Sequence, residues 1–136
     1  MTTSSWTSGP RLSTARHFNG CFHIKDNNVI TQIVVMGGAS STEGYLSTAE
    51  VLDVNSMTWR TGPSLPISVR YNRGVQSVSG TYLGFSTGGT WPVVRKIFGL
   101  KKTSKNGLEW EEVHGMTTAR YDHSVVNVPK SLLPNC

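Results

Sequence analysis

Three tryptophan-led segments of this chain share one skeleton: "WTSGPRLSTARHFNGCFHI" from residue 6, "WRTGPSLPISVRYNRGVQSV" from residue 59 and "WEEVHGMTTARYDHSVVNV" from residue 110. The tryptophans, Trp6, Trp59 and Trp110, stand 53 and then 51 residues apart, and Leu12, Leu65 or Met116 follows each of them six places on. Ten or eleven places after each tryptophan comes Arg16, Arg70 or Arg120, opening the frames "RHFNGCFHI", "RYNRGVQSV" and "RYDHSVVNV". Two glycine doublets, Gly37-Gly38 and Gly88-Gly89, lie 51 residues apart and close the runs "TQIVVMGG" and "TYLGFSTGG". A period near fifty constrains the fold strongly, because a unit of that size cannot bury its apolar face alone and must stack on its neighbours.

The content of one period is all β. From each arginine a short alternating segment leads to a turn, "KDNN" or "VSGT", and then to the strand that ends in the glycine doublet. A third strand follows, "LSTAEVLDV" or "VVRKIFGL", and the fourth carries the tryptophan. Four short antiparallel strands with recurring glycine and aromatic markers form the pattern of a propeller blade. The tryptophan and the leucine after it are expected as apolar filler between neighbouring units.

Composition agrees. The chain has 136 residues, enough for about one domain, and it is 37% apolar and 15% charged, with 14 glycines and 6 prolines. No apolar run approaches the roughly 18 residues needed to cross a bilayer, and the N-terminus lacks a signal peptide's basic and apolar regions, so no membrane role is expected. Net charge is +5 and the isoelectric point is near 9.5. Arg95, Lys96, Lys101, Lys102 and Lys105 fall in the one segment "RKIFGLKKTSK", which reads as a solvated hairpin whose lysines discourage edge aggregation rather than as a nucleic-acid site.

With these residues in view, the chain resembles a kelch-repeat β-propeller. That family's blade motif is a glycine doublet, then a tyrosine, then a tryptophan after six intervening residues, with an arginine near the start of the next inner strand. Gly37-Gly38, "LDVNSMTW" and Arg70 match it, with Leu52 in the tyrosine place; Gly88-Gly89 and Trp110 match it again, across a hairpin three residues longer. The resemblance implies an outer strand in 1–15, complete four-stranded blades in 16–69 and 70–119, an inner strand in 120–128 and a tail in 129–136. Two blades cannot close a ring of four to eight. The chain is therefore expected to be the C-terminal part of a longer protein with Met1 internal, the remaining blades coming from that chain or from self-association.

Chemistry on the side chains is sparse. Glu109, Glu111 and Glu112 flank Trp110 on one strand and point at solvent or a strand neighbour, which gives no acid–base pair. His17, His23, His114 and His123 have no metal-ligand spacing, and neither Cys21 nor Cys136 belongs to a CxxC motif. Cys21, in register with Val75 and Val125, is expected as a small core residue. His123 is expected as a hydrogen-bonded loop residue, and no metal or cofactor is expected.

In the resembled family, the loops between units gather on one face that commonly receives a partner. Here those loops carry His17, Phe18 and Asn19; Tyr71, Asn72 and Arg73; Tyr121, Asp122 and His123; the other loops of that face add Glu43, Tyr45, Trp91 and Pro92. Tyr, Trp and Arg dominate interface energetics, so Tyr71, Arg73, Trp91 and Tyr121 lead the candidates, with Asn72, Asp122 and Tyr45 behind them. Arg16, Arg70 and Arg120 recur identically and are expected to bond loop carbonyls. The resemblance implies a non-enzymatic, cytoplasmic protein-recognition module, such as the substrate-recognition part of a cullin ubiquitin ligase adaptor or an actin-associated scaffold. A secreted or cell-surface binding protein is the alternative, and an oxidase or sugar isomerase of this fold is a remote one.

Overall fold

A computed structural model describes residues 5–78, 80–90, 93–105 and 107–128. They are all β, with antiparallel pairing throughout. No helix among them is long and apolar enough to cross a membrane. The first sheet contains β1 (Gly20–Asp26), β2 (Val29–Met36), β5 (Ala49–Asp53) and β6 (Thr58–Thr61), in that spatial order. A small hairpin of β3 (Ala39–Ser40) and β4 (Gly44–Tyr45) sits in the connection between β2 and β5. The second sheet repeats the meander with β7 (Arg73–Gln76), β8 (Tyr82–Thr87), β9 (Lys96–Lys102) and β10 (Leu108–Gly115).

Local sequence explains the turns. Asn27 and Asn28 both take positive φ, 49° and 64°, between the paired Asp26 and Val29, which is the two-residue hairpin whose twist matches that of the strands. Between β5 and β6 the Asp53 carboxylate accepts hydrogen bonds from the Asn55 and Ser56 amides, both at 2.9 Å, and fixes that turn. The longer hairpin of the second unit enlarges its strands more than its loop. Lys102 still pairs with Leu108, and the lysines of β9 reach the glutamates of β10 across the ladder: Lys101 pairs with Glu109 directly opposite at 3.4 Å and with Glu111 on the diagonal at 2.7 Å, and Lys96 reaches Glu112 on the diagonal at 2.8 Å.

The sheets stack through their first strands, β1 lying against β7 and β8. Phe22, Ile24, Val34, Met36, Ala49 and Val51 of the first sheet form one core with Phe98 and Leu100 of the second and with Leu65, Val69 and Val94 of the connections. Each fully buried side chain of this kind stabilises by about 1.5–3 kcal/mol relative to exposure. Trp110 closes the seam. Its ring meets Phe22 edge-on at 6.2 Å, and its indole N–H donates to the Pro63 carbonyl at 2.9 Å. Trp59 makes the same bond one unit earlier, to the Pro10 carbonyl at 3.0 Å.

Several expectations need correction. Trp6 is fully exposed rather than interleaved, because no sheet among the described residues stands beside it. Cys21 is exposed too: alternation along β1 sends Phe22 and Ile24 into the core and Cys21 to the opposite face. The outer strand expected before the first sheet and the inner strand expected in 120–128 form no ladder, since neither segment has a paired strand beside it among the described residues. The tail 129–136, with Cys136, lies outside those residues, as do Trp91 and Pro92.

The repeat register itself shifts by one residue in the second copy. His17 bridges to Ala39 as Arg70 bridges to Thr90, and Gly20 pairs with Met36 as Arg73 pairs with Thr87. Phe18, Tyr71 and Asp122 are left-handed at 55°, 56° and 49° and hold one equivalent place. Arg16 and Arg120 are therefore matched by Val69, and Arg70 is matched by His17 and Tyr121. The recurring arginine is not one series.

That shift exposes a coupled exchange inside the chain. Arg16 is buried; it donates to the Gly37 and Thr48 carbonyls at 2.9 and 3.0 Å and pairs with the buried Glu50 at 2.9 Å. In the second sheet Phe98 occupies the place of Glu50, since Val35 pairs with Glu50 as Ser86 pairs with Phe98. Val69 and Phe98, both in the apolar core, thus replace an ion pair.

Candidate partner-binding face

The three crossings between and beside the sheets lie next to one another. The Tyr71 amide donates to the Phe18 carbonyl at 2.7 Å, and the Asp122 amide donates to the Tyr71 carbonyl at 3.1 Å. These bonds hold three non-glycine residues in the left-handed region, at a cost of about 1–3 kcal/mol each for such strain. In return, their side chains are set side by side.

The result is an aromatic strip. His17 meets Phe18 edge-on at 4.7 Å, Phe18 stacks on Tyr71 at 4.1 Å, and Tyr71 meets Tyr121 at 6.3 Å. Tyr45, from the β3–β4 hairpin, joins through Arg70, whose guanidinium lies 4.6 Å from the Tyr45 ring centre and 5.4 Å from that of Tyr71. Phe18, Tyr45 and Tyr121 remain 45%, 41% and 56% exposed. Large rings left open beside one another are unusual for a finished surface, and they favour partner contact.

Of the residues expected from sequence, the structure brings Tyr45, Tyr71 and Tyr121 together here. Arg73 and Asp122 pair with each other at the edge of the strip, and the Arg73 Nε–H also donates to the His123 carbonyl at 2.9 Å. Asn72 does not belong. It is completely buried, and its amide donates to the Ser86 hydroxyl at 3.1 Å and the Met36 carbonyl at 3.4 Å, tying the two sheets together where no partner can reach. Arg70 changes role in the opposite direction, from carbonyl anchor to a member of the face. Arg120 makes its repeated contact through its backbone, accepting from the Gly89 amide at 2.8 Å. Arg70 was the residue missed, and Phe18 was placed on this face but not ranked; the signal was present, since carrying the 53-residue tryptophan spacing forward puts Phe18 on Tyr71 and His17 on Arg70.

His123 occupies the place of Asn19 and Asn72, and its Nε2 lies 2.8 Å from the Thr87 hydroxyl. Burial, and then the nearby Arg73 and Arg120 guanidiniums, hold its pKa below the ordinary imidazole range, with Asp122 opposing them. The unfolded chain thus binds this proton first, so stability should fall as pH drops below about 6.5 and level off once the folded group is protonated as well. His123→Asn should remove that part of the pH dependence. Urea midpoints of both proteins between pH 7.5 and 5 test it, and parallel curves would reject the assignment.

Among the described residues no three His, Cys, Asp or Glu side chains converge as a metal site. The acids of β10 are engaged by lysines, and the hydrogen bond from Lys101, joined by that from Tyr82, keeps the Glu111 carboxyl below the usual range. No protein-family model matches the sequence, and no curated protein matches it.

Proposed function

We propose that this chain is part of a kelch-type β-propeller and that its work is protein recognition through the aromatic face, without catalysis. The observation that carries the recognition reading is the contiguous strip of Phe18, Tyr71 and Tyr121, with Tyr45 and Arg70 beside it. Rigid, half-open aromatic residues next to an arginine are the composition of interface hot spots. They sit on connections held by stacked sheets, where variation between repeats changes the binding surface and leaves the scaffold alone.

The propeller reading is supported by how the two units stack. A cleft of about 310 Å³ on the free face of the second sheet is lined by Val75, Phe85, Thr87, Ile97, Val113 and His114. By the ladder registers, four of these stand where Phe22, Val34, Met36 and Ala49 are covered in the first sheet. His114 stands where Pro63 accepts the Trp110 indole. A further unit of the same build would cover this face as the second sheet covers the first. That is the logic of a radial repeat whose other blades come from a longer chain or from another copy. A cytoplasmic adaptor of a cullin ubiquitin ligase or an actin-associated scaffold is the setting proposed.

The test is affinity purification with quantitative mass spectrometry, comparing the native chain with Phe18→Ala/Tyr121→Ala. Specific partners should fall at least about tenfold, as expected for losing hot-spot rings, while circular dichroism stays unchanged. Equal recovery by both proteins would remove this face from the function.

A further inference from the structure

We propose that Arg70 is the anchor for a carboxylate, and that the partner segment seated on the aromatic face is acidic, with an Asp or Glu beside an apolar residue. This rests on reading the face as a protein-recognition surface.

Arg70 is held in place but its charge is unanswered. Its guanidinium lies over two rings, Tyr45 at 4.6 Å and Tyr71 at 5.4 Å, which limits the positions open to it. Its Nε is buried without a hydrogen-bond partner, and among the described residues no carboxylate lies within ion-pairing distance of it. Two other arginines nearby are already committed, Arg16 to Glu50 and Arg73 to Asp122. Arg70 therefore has its entropy cost largely met by the stacking and its charge unanswered, the condition in which an incoming anion gains most.

A structural role explains this side chain poorly. Its backbone makes the bridge to Thr90, and the equivalent bridge in the first unit is made by a histidine, so the position does not demand a cation. Nor, among the described residues, does the side chain bond any loop carbonyl, unlike Arg16.

The geometry also selects among anions. One guanidinium presents a planar fork matched to a planar carboxylate, whereas phosphopeptide sites are built from clusters of arginines. Asp122 is occupied by Arg73, so this acid does not compete with an incoming carboxylate for Arg70. The exposed rings of Phe18, Tyr45 and Tyr121 supply the apolar half of the site for the neighbouring side chain.

The experiment is selection of a phage-displayed random heptapeptide library on the immobilised full chain, followed by titration of one synthesised winner. Enriched peptides should carry Asp or Glu next to an aliphatic or aromatic residue. Arg70→Leu should weaken the winner at least about tenfold, the size of a charge-assisted hydrogen bond. Arg70→Lys should recover part of that, and changing the peptide acid to its amide should cost nothing further in the Arg70→Leu protein. Circular dichroism checks that both variants fold. Winners without carboxylates, weakened by Tyr121→Ala but not by Arg70→Leu, would overturn the anchor and leave the recognition face intact. Acidic winners indifferent to Arg70→Leu, or tighter retention of a short single-stranded oligonucleotide than of the acidic peptide, would also overturn it. Absence of any enrichment would overturn both this proposal and the recognition reading.

Discussion

Glu50→Ala should cost about 3–5 kcal/mol of stability, the range found when one partner of a buried ion pair is removed, whereas replacing the whole pair should cost far less. Glu50 accepts hydrogen bonds from the Ser13 amide and hydroxyl, the Thr14 amide and the Arg16 guanidinium, at 2.8, 2.6, 3.2 and 2.9 Å. Removing it strands a buried cation and a set of donors. The second unit shows the alternative packing: Val69 and Phe98 stand at the places of Arg16 and Glu50, and Pro66 and Ile67 stand at those of Ser13 and Thr14. Pro66 has no amide hydrogen to satisfy, so the exchange removes the Ser13 amide donor together with its acceptor. The combined variant Ser13→Pro/Thr14→Ile/Arg16→Val/Glu50→Phe should therefore stay close to the native protein in urea unfolding. Burial raises the Glu50 pKa, but the bonds from Ser13, Thr14 and Arg16 outweigh it and leave the carboxyl below its ordinary value. A depressed carboxyl contributes stability above the unfolded value near 4.3 and loses it as pH falls through the folded one. The native protein should thus lose stability below about pH 4, and the combined variant should lack this component. A single-variant cost under about 1 kcal/mol, or a combined variant as damaged as Glu50→Ala, would contradict the exchange.

Much of this architecture was legible because the repeat is written in residue types that do one job. Glycine doublets mark left-handed positions, with φ of 64° and 93° at Gly37 and Gly38, and a Cβ at Gly38 would run into the His17 carbonyl. The tryptophans mark the outer strands, and Trp59 and Trp110 reach one unit back to proline carbonyls that recur in "WTSGP" and "WRTGP". The strands followed from alternation and the Asn-Asn turn. What misled was the arginine. Arg70 looks like Arg16 in sequence but sits one place later, because Val69 had taken the structural position. Identity of residue type outweighed the constant spacing from tryptophan, and the candidate face lost Arg70 and gained the buried Asn72. Ladder pairing is set by backbone geometry, and the match of Asn19 with Asn72 and of Phe18 with Tyr71 at the tryptophan spacing was the mark of the slip. The Lys–Glu ladder of β9 and β10 was half legible in the same way: both charge runs were visible, but only the register turns them into pairs.

Gly74→Ala should destabilise the chain by at least about 3 kcal/mol, at or above the upper end of the usual overpacking range. The reason is the closeness of the two first strands. A methyl group at Gly74 would overlap the Cys21 carbonyl and come within 2.8 Å of the Met36 methyl; one at Gly20 would come within 2.7 Å of the Asn72 amide nitrogen and 3.2 Å of the Gly74 nitrogen. A flexible side chain can move aside, but the Cys21 carbonyl belongs to the β1–β2 ladder and can yield only by shifting the sheet. The contrast is Gly84, where the added atom meets the Phe22 ring, which can tilt. Gly84→Ala should therefore cost less than Gly74→Ala, and Gly9→Ala, with nothing within 4 Å, should stay within about 0.5 kcal/mol of the native protein. Urea unfolding of the three variants ranks them. Trp110 reports on the seam directly, because its ring rests on Phe22 across the two sheets and should shift to redder fluorescence if Gly74→Ala forces them apart. A Gly74→Ala protein within about 1 kcal/mol of native would mean that the sheets do not meet backbone to backbone. The aromatic face depends on that contact, since Phe18 and Tyr71 come from crossings that lead into β1 and β7. Loosening the two strands should therefore weaken binding at the face before the chain unfolds.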